Sequence, residues 1–160
     1  MAMPPEDAQT AQDQFRRTQL ERGGAEIETL TAALNDRIQK LESWLAELPG
    51  RVETKVTIPD PDDPENYKFS LRLKRSTWAL HYQYLERTTT PQGILWPTTN
   101  DWRAVRSAGL DAKMATVEAF PALLARMQEA QENLVARLRE ANTKFDRHAD
   151  AVGLTHEEGA

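Results

Sequence analysis

Apolar residues in the first part of the chain recur with the heptad spacing of an α-helix that buries one broad stripe. The rows consist of Ile27, Leu30, Leu34, Ile38, Leu41, Trp44, Leu45 and Leu48, interrupted by the polar Arg37. Pro49 and Gly50 end the pattern, so the spacing predicts a helix over 25–48. Residues 1–24 lack a sustained apolar period, which favours a flexible arm, either a frayed helix or a segment that orders on binding.

The period changes to two in the middle of the chain, as is typical of half-buried strands. Alternation predicts strands over 52–58, 67–73 and 78–84, and 94–96 is a candidate for a short further strand. Short turns between them imply antiparallel pairing. Residues 51–96 are therefore predicted to form a meander of three to four strands with one apolar and one polar face.

Helical spacing returns after the meander. Thr98, Thr99, Asn100 and Asp101 offer N-caps for a short helix through Arg106. A longer apolar stripe follows, with Pro121 as a predicted kink and Gln131 as a polar interruption. Its residues are Val117, Phe120, Leu124, Met127, Leu134, Leu138 and Phe145. The pattern predicts helices over 101–150 and a loose tail over 154–160.

These elements predict an α+β fold: a long N-terminal helix, an antiparallel meander and a long C-terminal helix within a single domain over 25–153. The two helices are expected to pair as a hairpin or coiled coil, with the sheet at its end or against its side. Their apolar arcs are wide enough to predict a homo-oligomer, most simply a dimer. The residues expected at that interface are Leu34, Arg37, Leu41, Trp44, Leu124, Gln131 and Leu138.

Composition narrows the classes of function. The 160 residues carry a formal net charge of −5 and contain no cysteine, which excludes disulfides, thiolate metal sites and thiol nucleophiles. The absence of cysteine fits a reducing compartment, and a cytoplasmic location is expected. The first residues lack the basic and apolar regions of a signal peptide, and no apolar run is long enough to span a bilayer. A membrane partner is therefore not expected.

Motifs for catalysis or metal binding do not stand out. The three histidines, His81, His148 and His156, lack the spacing of a helical metal site. Phosphate-binding loops and nucleophile motifs are missing, and the carboxylates are spread along helix faces. We therefore expect no enzyme, no cofactor and no bound metal.

The most specific signal is one face of the predicted meander. Alternation places Lys68, Arg72 and Lys74 with His81 and Gln83, opposite the apolar residues of the same strands. This face is basic on an acidic protein, so it is either a solvated surface or a surface for an anionic partner. The expected partner-binding residues are Lys68, Arg72, Lys74, Arg75, His81, Trp96 and Trp102.

The function that these patterns favour is that of a non-enzymatic interaction protein: an accessory subunit, assembly factor or inhibitor that docks on a larger protein complex. The alternative is a nucleic-acid-associated protein that binds phosphates through the basic sheet face, with a nucleoprotein complex as its partner. A third reading is an enzyme whose site forms between two chains.

Overall fold

The structure is a computed structural model that describes residues 5–97 and 101–153. It confirms the predicted α+β class: a long N-terminal helix, an antiparallel sheet of four strands and a long C-terminal helix follow one another along the chain. The elements in chain order are α1 (Pro5–Glu47), β1 (Thr54–Pro59), β2 (Tyr67–Lys74), β3 (Ala79–Glu86), β4 (Thr88–Thr90), β5 (Gly93–Leu95), β6 (Arg103–Ala104), a 3₁₀ turn (Val105–Ser107) and α2 (Leu110–Ala151). The predicted tail over 154–160 lies outside the described residues.

The chain divides into two compact units, the first ending at Ser43 and the second starting at Trp44. The described part of the first unit is α1 up to Ser43, and this helix begins at Pro5 rather than near residue 25 as the sequence pattern predicts. Gly23 and Gly24 lie inside this helix. A glycine costs a helix only about 1 kcal/mol relative to alanine, and exposed pairs such as Arg17–Glu21 support the turns before it.

The second unit contains a four-stranded antiparallel sheet in the order β1-β2-β3-β6. Val56 lies opposite Leu71, and Leu71 lies opposite Tyr82, so these three side chains share one face. The predicted strand at 94–96 is not the fourth strand of this sheet. It corresponds to β5, which pairs with β4 in a separate two-stranded hairpin.

The fourth strand of the sheet is the two-residue β6, and this corrects the prediction of a short helix through Arg106. Asp101 precedes the strand, and Ala104 pairs with His81 of β3. The strand is too short to show an alternating pattern, which explains why the sequence did not reveal it. The other expected cap residues, Thr98, Thr99 and Asn100, lie outside the described residues.

The core of the second unit forms where α2 packs on β1 and β2. Small residues on the helix, Ala112, Ala115 and Ala119, are buried and allow close approach to the sheet. The largest fully buried apolar side chains are Leu45, Phe69, Leu71, Leu73, Leu80, Val105 and Leu123. Burial of each leucine or phenylalanine contributes about 1.5–3 kcal/mol, so this face holds the unit together.

The second half of α2 has a different environment from the first. The helix continues through Pro121 as predicted, but Leu138 is 54% exposed and Phe145 is 63% exposed. Pairing of the two long helices as a hairpin or coiled coil is not confirmed and stays a prediction. Neither helix has, within its described residues, an apolar stretch of the length needed to cross a bilayer.

Candidate partner-binding face of the sheet

One side of the sheet carries positive charge and is hereafter the basic face. The register places Lys55 of β1 opposite Arg72 of β2, and Arg72 opposite His81 of β3. Directly opposite residues of antiparallel strands point to the same side. By the same alternation the face comprises Lys55, Thr57, Lys68, Ser70, Arg72, Lys74, Ala79, His81, Gln83 and Leu85 of β1–β3. None of these described strand residues is acidic.

Two tryptophans cover cations of the basic face. The Nζ atom of Lys68 lies 4.4 Å from the ring centroid of Trp96, and Cζ of Arg72 lies 4.3 Å from that of Trp102. Both distances are within the roughly 6 Å range of cation–π attraction. Trp102 reaches Arg72 because it directly precedes β6, which pairs with β3. The indole rings thus hold two of the positive charges in defined positions.

Below these side chains, the centre of the basic face is buried and polar. Ser70 is 1% exposed and Gln83 is 4% exposed, and the two residues lie opposite each other on β2 and β3. The hydroxyl oxygens of Thr57 and Ser70 are 2.7 Å apart and share a hydrogen bond. The buried Oε1 of Gln83 and Nε of Arg72 have no hydrogen-bond partner among the described residues. Such orphan groups cost about 1–3 kcal/mol each.

The remaining predicted partner-binding residues lie at the margins of this arrangement. His81 is half-buried, and its Nδ1 is 3.1 Å from the carbonyl oxygen of Ala79. A carbonyl oxygen only accepts, so a hydrogen bond here places the proton on Nδ1. Arg75 is exposed in the turn between β2 and β3, outside the strand face. The sheet therefore does not place Arg75 on the basic face with the other predicted cations.

Trp78 departs from the sequence prediction of a core-facing strand residue. It lies in the turn before β3, with a φ of 51°, in the left-handed region that bulky side chains rarely adopt. Its backbone N–H donates to the carbonyl of Lys74, which closes the turn. The guanidinium of Arg51 lies 4.9 Å from the Trp78 ring centroid. A third cation–π pair therefore stands at the end of the sheet, which the sequence pattern did not indicate.

The charges of the basic face are not neutralised within the described part of the chain. Lys55, Lys68, Arg72 and Lys74 form no ion pair there, whereas other cations pair with nearby carboxylates, as Lys144 does with Glu140. Sequence reasoning missed Lys55, although its alternation with Val56 was the available signal. The arrangement offers four positive groups to an anionic ligand.

The residues expected at an oligomer interface belong to both units of the chain. On α1, Leu34 and Leu41 are half-buried and Arg37 is exposed. The remaining residues belong to the second unit, where Trp44 and Leu138 are largely exposed and Leu124 is half-buried. The side-chain amide of Gln131 donates to the carbonyl of Gly50 at 3.3 Å. Gln131 therefore bonds within its own chain, and its predicted role in setting register between chains stays a prediction.

Known proteins supply no further guidance. No family model matches the chain, and neither a curated protein nor a solved structure shows significant similarity to it. Within residues 5–97 and 101–153, no group of three or more histidine, aspartate or glutamate side chains is arranged to hold a metal ion. The functional argument therefore depends on the chemistry of the described surfaces.

Proposed function

We propose that the protein is a non-enzymatic docking protein whose basic face binds an acidic segment of a larger protein. The observation that carries this proposal is the set of four cations on the face, none of them in an ion pair within the described residues and two of them positioned by indole rings. Charged groups that are held in place before binding lose less conformational entropy when the partner arrives. The protein would act in the cytoplasm as an accessory subunit, assembly factor or inhibitor.

Binding of nucleic acid through the same face is the second candidate, because basic and aromatic side chains are interleaved on a sheet. Two observations favour a protein partner. Trp96 and Trp102 are half-buried, and each has a cation against its ring, which leaves less ring surface for stacking on bases. The net charge of −5 also opposes a long polyanion more than a short acidic segment, because more of a long chain lies outside the basic face.

A triple charge reversal tests the proposal. The variant Lys68→Glu/Arg72→Glu/Lys74→Glu changes only partly exposed groups, so the fold should persist. We expect its affinity for a labelled polyglutamate peptide, measured by fluorescence anisotropy at low salt, to fall at least about tenfold, or about 1.4 kcal/mol. The matched control is Arg137→Glu/Arg139→Glu/Arg147→Glu, which makes the same change of net charge on exposed positions of α2.

The control decides between a specific face and a general charge effect. Equal weakening in both variants, or no polyglutamate binding by the native protein, would show that the basic face is a solvated surface. A single-stranded oligothymidylate that binds more tightly than polyglutamate, and is lost in the triple variant alone, would establish the nucleic-acid candidate instead. Capture from the native host with the same three proteins, followed by mass spectrometry, would then identify the partner.

A further inference from the structure

A cleft of about 490 Å³ lies on the other side of the sheet from the basic face. Tyr82 and Tyr84 alternate with Gln83 along β3, so their rings point away from the basic face. Tyr67 of β2 and the first turn of α2 complete the walls. The volume falls within the range of about 300–1,000 Å³ that is typical of small-ligand sites.

Aromatic rings in fixed positions form the base of this cleft. The rings of Tyr82 and Tyr84 meet edge to face, with centroids 5.9 Å apart and planes at 80°. Phe69, fully buried behind them, lies 5.4 Å from Tyr84 and 5.8 Å from Tyr82. Tyr84 is nevertheless 40% exposed, so its ring belongs both to the core and to the open surface. Aromatic faces of this kind attract cations.

Three carboxylates surround the rings. Asp60 and Asp62 belong to the loop between β1 and β2, which also contains Pro61 and Pro64, and Asp111 lies in the first turn of α2. Hydrogen bonds hold the loop in place: the Asp60 N–H donates to the Tyr67 carbonyl at 3.0 Å, and the Asp62 N–H donates to Asp60 Oδ1 at 2.8 Å. The acidic side of the cleft is therefore formed before any ligand binds.

The charged residues that line the cleft are carboxylates, and Arg103, which lies opposite Tyr82 on the same side of the sheet, pairs with Asp101 at 3.5 Å. No lysine or arginine is among the described residues that line it. Burial by its neighbours, together with the charges of Asp60 and Asp111, raises the pKa of Tyr84 to about 12. The same charges that disfavour a tyrosinate favour a cation at this position.

The shape of the site identifies the kind of cation. The carboxylates do not converge into a group that could hold a metal ion within the described chain, and the cleft is much larger than such an ion requires. An alkyl chain with a terminal ammonium fits both properties, since the chain can lie on the tyrosine rings while the ammonium donates to the carboxylates. We infer that the cleft binds a primary alkylammonium group, the chemistry that a lysine side chain of a partner shares with a free aliphatic amine.

Titration of the isotope-labelled full chain by NMR, at a constant ionic strength, tests this inference directly. Butylammonium should cause saturable shifts of the amides of Gly109 and Ala112, which line the cleft, whereas the neutral isostere 1-butanol should bind at least about tenfold more weakly. Two further probes separate the sources of the group. Tighter binding of Nα-acetyl-lysine amide than of butane-1,4-diamine supports a partner lysine, and the reverse order supports a free amine.

Variants of the residues that line the cleft provide a second test. Asp62→Asn/Asp111→Asn changes two exposed groups and should raise the dissociation constant for butylammonium at least about tenfold. Tyr84→Leu removes the ring and should also weaken binding. The matched control, Glu132→Gln/Glu140→Gln, lies about 30 Å or more beyond Asp111 along α2 and should bind normally. Absence of saturable shifts in the native protein, or equal affinity in the double asparagine variant, would overturn the inference.

Discussion

The contacts between tryptophans and cations are the feature at the residue scale from which the behaviour of the basic face follows. A lysine or arginine on a bare strand samples many rotamers, but Lys68 and Arg72 are each held against an indole ring. Their ammonium and guanidinium groups keep their charge in these contacts, because a ring attracts a cation without neutralising it. An acidic partner therefore meets positive groups that are both ordered and unpaired.

The strength of one such contact can be measured with a double-mutant cycle. The variants Arg72→Met and Trp102→Leu, alone and combined, should give a coupling of about 0.5–2 kcal/mol in the free energy of unfolding, measured in urea. Arg72→Met with Trp96→Leu serves as the control, because the ring of Trp96 contacts Lys68 instead. Coupling of similar size in both cycles would indicate a general loss of packing rather than a specific cation–π pair.

Tyr84 leads to a prediction about alkaline stability. Its pKa is raised from 10.0 to about 12 in the folded chain, mainly by burial and secondarily by Asp60. The unfolded state therefore loses this proton first, so its contribution is complete below about pH 10 and disappears as the pH rises to about 12. The loss should be small, since the side chain is 40% exposed.

Urea unfolding just below and above this range, in the native protein and in Tyr84→Phe, measures the effect. Phenylalanine keeps the ring but carries no titrating group, so the variant should lose less stability on going to high pH. An identical loss in the two proteins would assign the alkaline sensitivity to other groups. Ultraviolet absorbance of tyrosinate should also lose its component near pH 12 in the variant.

At the scale of the elements, sequence periodicity located β1, β2 and β3 and assigned the faces of the two central strands. Alternation succeeded there because each central strand has eight residues, with a buried face and a more polar one. It failed for β6, because two residues are too few to show a period. It also failed for the start of α1, because the residues there lack the sustained apolar period of a packed helix. Trp78 was placed in a strand because the pattern does not reveal the left-handed φ that closes a turn.

The candidate sites were predictable to a different extent. The cations of β2 follow from alternation, but their contacts with Trp96 and Trp102 depend on chain segments that return from far along the sequence. The tyrosine cleft was not foreseen, because it combines side chains from β2, β3, a loop and α2. Local pattern identifies which side a residue occupies, whereas pairing of distant segments decides what it contacts.

The exposed stripe on α2 gives a sharper test of self-association than the sequence allowed. Leu138 is 54% exposed in the single chain, so Leu138→Lys should leave the fold of the monomer intact. If the stripe packs in a dimer, the same charge enters a buried interface and should dissociate it at a cost of several kcal/mol. Light scattering on the native protein should give a mass well above the 18.1 kDa of one chain, and Leu138→Lys should lower it.

Leu34 on α1, another of the predicted interface leucines, is half-buried and so makes a less selective variant. Circular dichroism of Leu138→Lys provides the necessary control, because unchanged helix content separates dissociation from unfolding. A native particle with the mass of one chain at high concentration would contradict the dimer. The flexible arm predicted over residues 1–24 has its own test: amide exchange across Gln9 to Arg17, which lie in α1, would measure how well this part of the helix is ordered.

At the scale of the whole molecule, the chain has a net charge of −5 although the basic face is locally positive. An acidic partner is repelled by the net charge at long range and attracted by the basic face at short range. Added salt should therefore weaken both the repulsion, which favours association, and the attraction, which opposes it. Salt screens charges beyond about 10 Å at 0.1 M, which weakens the distant repulsion before it weakens contacts at the face. The proposed complex should therefore form only with a partner that carries its acids in a compact segment.

The two sides of the sheet have opposite signs: four cations on the basic face, and three carboxylates around the tyrosine cleft on the other. These opposite charges, separated by the thickness of the sheet, contribute a dipole component that crosses the strands. A dipole experiences a torque in the field of a charged molecule, so a charged partner and the protein would become oriented before they make contact. If the proposed acidic partner binds, the two charged sides of the sheet would favour one orientation of the encounter, and a carboxylate introduced on the basic face would reduce both this preference and the affinity.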